Sequence, residues 1–298
     1  MRISELARQI DTDVARVMRD CEVTSAELCV RISGDRAVTF LEKEKFLYCL
    51  DNPRIAAVLC TEEMLPKIPA HIEGVVVTDA PKYAFYLIHN YLASQRSAAR
   101  VPTKIGANPQ ISETAYIAPY NVVIGDNVVI EPGAIIQENV TIGDDVVICA
   151  GTAVGIRSFS PARYHDRAVV LRDCGRTVIG NHVEICAQCG IAQGILADDV
   201  TELCDYVKLD NMIHIGHGTK IGARTFLAAG AQLSGNVVIG EDVWIGVTAT
   251  ISNRITIGDR ARISLGAVVT KDVPAGQTVS GNFAIDHQTF LRNLKNSL

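Results

Sequence analysis

The sequence predicts a β-solenoid joined to a small α/β domain, and an internal period of six is the first observation behind this. From Ile179 an aliphatic residue returns at every sixth position (Ile185, Ile191, Leu203, Leu209, Ile215, Ile221 and on to Val269), and of the sixteen positions only Ala197 is small. A second run holds Ile124, Ile130, Ile136, Ile142, Ile148 and Val154, and a short first run holds Ile105, Ile111 and Ile117. Neither a helix at 3.6 residues per turn nor a lone strand at 2 makes such a pattern. The second observation is the residue that follows each aliphatic. It is nearly always small (Gly180, Cys186, Ala192, Gly216, Gly222, Ser234, Gly240), as a tight corner requires. One buried aliphatic, one small corner residue and four mixed residues make a short strand and a turn, and stacking such units fills a solenoid with the aliphatic column. Composition is the third observation: 48% of residues are apolar but only 5% aromatic, so Val, Ile and Ala do most of the packing.

Each segment follows in order. Residues 1–100 lack the period and read as a small α/β domain of about five strands. ISELARQI suits a short helix, Ile55–Thr61 and Gly74–Thr78 suit buried strands, and Lys82–Leu92 suits a helix with an apolar stripe. SQRSAARVPTK (94–104) is a polar linker. The solenoid domain takes 101–284. Residues 155–178 interrupt its column as an excursion, read either as part of a binding region or as a tolerated insertion. Residues 285–298 suit one short helix capping the open coil. The net charge of −5 argues against a nucleic-acid binder. No apolar run is long enough to span a membrane and the start has no signal-peptide core. Nine scattered cysteines fit reduced thiols in a cytoplasmic protein.

The repeat, over roughly residues 103–281, resembles the hexapeptide-repeat acyltransferases. The resemblance implies a left-handed parallel β-helix of triangular section, three hexads or eighteen residues per coil. That step brings Asp199, His217, Gly235 and Asn253 onto one line at about 4.8 Å per coil. An acid, a base and a backbone amide then stand in a row. A histidine can take the proton of an attacking amine at neutral pH, and an amide at Gly235 can hold the oxyanion of a thioester under attack. The plainer reading of His217 is a solvated surface residue. Asp210, in the small-residue column, is either an Asx-turn former or a substrate-hydroxyl acceptor, and Asn211 beside it is a contact candidate. His214 is an outward residue and a weaker candidate. Tyr164 and His165 in the excursion are candidate donor or acceptor contacts. Cys186-x-x-Cys189 lacks a second pair at zinc-binding spacing and reads as structural, so no metal is expected.

The stretches IGNHVEICA (179–187), ADDVTE (197–202) and LDNMIHIGHGTKIG (209–222) are similar to UDP-3-O-acylglucosamine N-acyltransferases. That resemblance implies His217 as general base, Asp210 as the aspartate of the same motif, and the Gly235 amide as oxyanion donor. It also implies a uracil stacked by Phe40 and Phe46 in the N-terminal domain, and active sites between subunits of a homotrimer. The expected activity is N-acylation of a nucleotide-linked amino sugar in lipid A or surface polysaccharide synthesis. Acyl carrier protein or coenzyme A carries the acyl group as co-substrate, with no tightly bound cofactor. The chain differs from the family pattern at Glu44-Lys45, Ala192-Gln193-Gly194, Ser158-Phe159-Ser160 and Arg254. DVWIGVTATI (242–251) and GAVVTKDVPAG (266–276) look instead like coenzyme A-dependent sugar acetyltransferases, in which a residue such as Lys271 faces the nucleotide. The alternative is therefore a short-chain acyl-CoA-dependent UDP- or dTDP-amino-deoxysugar N-acyltransferase for O-antigen. A non-enzymatic or metal-binding scaffold is the remote one.

Overall fold

The computed structural model describes residues 1–95, 100–281 and 286–297. It divides into two compact units. One holds residues 1–99, 158–174 and 195–198; the other holds 100–157, 175–194 and 199–298.

The second unit is a parallel β-helix. Its strands, mostly two residues long, stack into three sheets of eight, nine and eight. Strand pairs such as Lys220–Ile221, Trp244–Ile245 and His214–Ile215 belong to the first, second and third faces in turn. Along each strand the first residue points out and the second points in, so the six-residue column is the buried one. A further interior column, missed in the sequence, stands two residues before it and includes Val183, Val207, Ile213, Val237 and Val243, with Thr177, Thr201, Thr219 and Thr225 among them. Between the columns the chain turns through a left-handed residue, such as Asn127, Asn236 or Arg254. Asn is among the side chains that tolerate that conformation best.

Register corrects the even column. Leu203 pairs with Ile221 and Ile221 with Ile239, eighteen residues apart. Ile185, however, pairs with Leu209 and Ile191 with Ile215, twenty-four apart. Ala197 is exposed and outside the interior, because 195–198 loop out. Ile195 and Leu196 join the core of the N-terminal unit instead.

That unit contains a five-stranded sheet. Its strands are β1 (Ala15–Arg19), β2 (Ser25–Ala26), β3 (Ala37–Leu41), β4 (Ile55–Cys60) and β5 (Gly74–Thr78) in the order β1-β5-β4-β3-β2, with only β1 antiparallel. Every residue of β4 and β5 is buried, as expected of parallel strands covered on both faces. Helix α1 (Ile3–Leu6) is one turn, and α2 (Pro81–Gln95) packs on the sheet. The excursion forms a hairpin, Pro161–Tyr164 with Arg167–Val170. Ala162, Tyr164 and Leu171 complete the core under α2. The helix expected over 285–298 runs from His287 to Ser297; Ile285 and Leu298, like linker residues 96–99, lie outside the described residues.

Candidate active site

His217 follows the third-face strand His214–Ile215 and precedes the first-face strand Lys220–Ile221, so it stands at the corner between those faces. It is half-buried. The amide of Asn236 donates to the His217 carbonyl at 2.7 Å, and the amide of Arg254 donates to the Gly235 carbonyl at 3.1 Å. These bonds stack His217, Gly235 and Asn253 on successive coils. The imidazole lies against Gly235: a Cβ there would overlap Nε2 and fall 2.7 Å from Cε1 and 2.9 Å from Cδ2. Only glycine leaves room for the ring in this place.

Asp199 stands at the same corner one coil earlier and is 3% exposed. Both its carboxylate oxygens lie close to Gly218, 3.1 Å from where a Cβ would be. Gly218 has φ of +66°, and its amide donates to the buried Thr201 hydroxyl at 2.9 Å. The backbone next to His217 is therefore fixed from the interior. The amide of Gly235 makes no hydrogen bond among the described residues. At some other corners the equivalent amide is capped, as Ala187 is by Asn211 Oδ1 at 3.0 Å and Ala229 by Asp210 Oδ2 at 3.1 Å. The corner thus holds an acid, an imidazole and an uncapped donor.

Asp210 is not brought to them within one chain. It stands at the corner between the second and third faces. Its Oδ1 accepts the Asn211 amide at 2.7 Å and the Asn211 side chain at 2.9 Å, whereas the Met212 amide, whose bond to the Asp210 carboxylate would make an Asx turn, donates to the Ala187 carbonyl instead. Asn211 is committed to the same corner. His214 points outward on the third face, above Gly190, and partial burial lowers its pKa. Asn253 is exposed. Lys271 lines a surface depression of about 280 Å³ formed by Val268–Val273 with Ser280 and Gly281.

The N-terminal candidates separate as well. Phe40 packs on the α2 side, 5.2 Å from the Phe85 ring, whereas Phe46 packs on the other hydrophobic cluster with the Lys45 ammonium 5.0 Å from its centroid. Alternation along β3 sends Val38 and Phe40 to one face of the sheet and Leu41 to the other. The two rings do not form a clamp. Neither lines the 280 Å³ cavity of this unit, which is bounded by Ser25, Glu27, Gly34, His89, Cys174 and Asp198. Tyr164 is a core residue rather than an exposed contact: its hydroxyl donates to Asp79 Oδ2 at 2.6 Å and accepts the Asp13 amide at 2.8 Å. His165 is exposed, 3.2 Å from Asp13. Among the described residues Asp13, Asp79 and His165 are the one group close enough to share a cation, and all three are exposed. Cys186 and Cys189 belong to no such group; the Cys189 thiol donates to the Asp210 carbonyl at 3.1 Å.

Comparison with known proteins agrees with this architecture. Residues 121–155 match the bacterial transferase hexapeptide (six repeats) family model. A solved UDP-N-acetylglucosamine acyltransferase from Campylobacter jejuni superposes with a TM-score of 0.54 at 24% identity, covering 65% of this chain and 78% of its own, and shares the fold. Fold and repeat define a hexapeptide-repeat protein built on a left-handed parallel β-helix, and the curated relatives make it an acyltransferase. The UDP-3-O-acylglucosamine N-acyltransferase of Helicobacter hepaticus is 32% identical over 69% of this chain and 68% of its own. Its namesake from Campylobacter concisus is 26% identical over 96% and 94%. The chain belongs to the UDP-3-O-acylglucosamine N-acyltransferase family. No helix among the described residues is long and apolar enough to cross a membrane.

Proposed function

We propose that this chain transfers an acyl group from a thioester, on acyl carrier protein or coenzyme A, to the amine of UDP-3-O-acylglucosamine in lipid A synthesis. The observation that carries the reading is the packing of the His217 ring on Gly235, whose amide is uncapped. The near full-length match to a relative bearing that name supports the acceptor.

His217 takes a proton from the amine as its nitrogen attacks the thioester carbonyl. The carbonyl oxygen gains the negative charge and accepts the Gly235 N–H. Collapse breaks the C–S bond, and the imidazolium returns its proton to the departing sulfur. Asp199, buried at the same corner, favours the charged imidazole and steadies it. His214, Asn253 and Lys271 are proposed to contact substrate or donor. The enzyme acts as a homotrimer, so that surfaces of neighbouring copies close each site.

The test is release of free thiol with UDP-3-O-acylglucosamine and UDP- or dTDP-amino-deoxysugars, each offered acetyl-CoA, 3-hydroxybutyryl-CoA and a 3-hydroxyacyl carrier protein. Turnover with UDP-3-O-acylglucosamine is expected, and the His217→Ala variant should lose about 10²–10⁴-fold in kcat. Activity confined to a deoxyaminosugar would replace the acceptor. An active His217→Ala enzyme would remove the base.

A further inference from the structure

We infer that Thr219 is a positioning residue for acyl transfer, holding the Ser234–Gly235 peptide so that the Gly235 amide points away from the interior of the β-helix, beside His217. The inference rests on the reading of that amide as oxyanion donor. Thr219 is fully buried, in the interior column two residues before Ile221. Its hydroxyl donates to the Ser234 carbonyl at 3.1 Å and accepts the Val237 amide at 3.3 Å. A trans peptide is planar, and its C=O and N–H point in opposite directions. A carbonyl held from the inside turns the amide of the same plane outward.

The same peg recurs twice, and the recurrences isolate what is special here. Thr152 donates to the Cys186 carbonyl at 2.6 Å and accepts the Cys189 amide at 3.0 Å. Thr225 donates to the Gly240 carbonyl at 2.9 Å and accepts the Val243 amide at 3.1 Å. In both cases the outward amide is spent on the wall: Ala187 donates to Asn211 Oδ1 and Glu241 to Asp259 Oδ1, each at 3.0 Å. The Gly235 amide has no such cap among the described residues. The corner position from which Asp210 caps Ala229 one coil on is here Gly216. A side chain at Gly216 would crowd that amide, with its Cβ 2.6 Å from the Gly235 nitrogen. Two pegs only fasten corners, whereas the third also aims a donor left open for a ligand.

The experiment compares Thr219→Val, Thr219→Ser and Thr225→Val in the full chain, using UDP-3-O-acylglucosamine and whichever thioester supports turnover. Both valine variants lose one hydroxyl peg, so their melting temperatures should fall alike. Only Thr219→Val should lose kcat, by about 10–100-fold, short of the 10²–10³ for deleting an oxyanion donor. KM for both substrates and the pH profile should stay unchanged, since His217 is untouched, and serine should restore the rate. If Thr219→Val does not fold, Thr219→Cys keeps the volume with a weaker donor and should give an intermediate kcat. Equal kcat in Thr219→Val and Thr225→Val, or in Thr219→Cys and wild type, overturns the inference. His217→Ala run beside them separates the causes: if it is inactive while Thr219→Val is unimpaired, only the positioning role fails, and if it too is active, the site reading fails with it.

Discussion

A single absent carbon decides the geometry at the residue scale. The backbone at Gly235 does not need glycine for its dihedrals, since its φ is not positive; it needs glycine because the imidazole of His217 occupies the space. Gly235→Ala is therefore expected to fold with little change in melting temperature and to lose about 100-fold in kcat by displacing the ring, the scale expected when a reacting group moves by roughly 1 Å. Unchanged kcat would show that the ring is not held there. This part of the site was legible in the sequence, because a fixed step of eighteen aligns His217 with Gly235 without any knowledge of side-chain packing. The separation of Asp210 from His217 was also encoded. Seven residues exceed one hexad, so the two fall at successive corners. Phe40 and Phe46 were not legible as a pair, because their faces depend on how β3 alternates between the two covered sides of the sheet. The threonine pegs were hidden in a column that reads as apolar until the hydroxyls find their carbonyls.

At the element scale, the excursion is a structural part of the N-terminal unit. The sequence revealed its length and its break in period, and Ala197 marked a second loop, but nothing local told where either would pack. Tyr164 fastens the hairpin: its hydroxyl is bonded to Asp79 and to the Asp13 amide. Burial, reinforced by the bond to Asp79, pushes the phenol up to about 12. The unfolded chain ionises near about 10, so between those values the native state holds the extra proton and stability falls as pH rises. This contribution is complete below pH 10 and lost through pH 12. Tyr164→Phe should melt lower at neutral pH and should lack this part of the alkaline loss. The check is the melting temperature of both proteins from pH 7 to 12. Parallel curves would mean the hydroxyl is not held as described.

For the whole molecule, the β-helix presents Phe226, Trp244, Val238 and Val268 on its outer faces, each at least 40% exposed. Phe226 and Trp244 pair in register on the second face. Val238 lies on the first face and Val268 on the third, so the four residues form no single patch; the proposed homotrimer is expected to cover the Phe226–Trp244 pair. Sedimentation equilibrium should give three times the chain mass of 32.1 kDa; a monomer at assay concentration that turns over normally would rule out a shared site. The interleaving of the two units also bears on synthesis. The N-terminal core includes Ile195 and Leu196 as well as the hairpin, so the first 99 residues leave the ribosome with that core unfinished. At about 5–20 residues per second, roughly 5–20 s pass before the missing pieces arrive. A gene fragment encoding only residues 1–99 is therefore expected to be less stable than the same unit within the full chain.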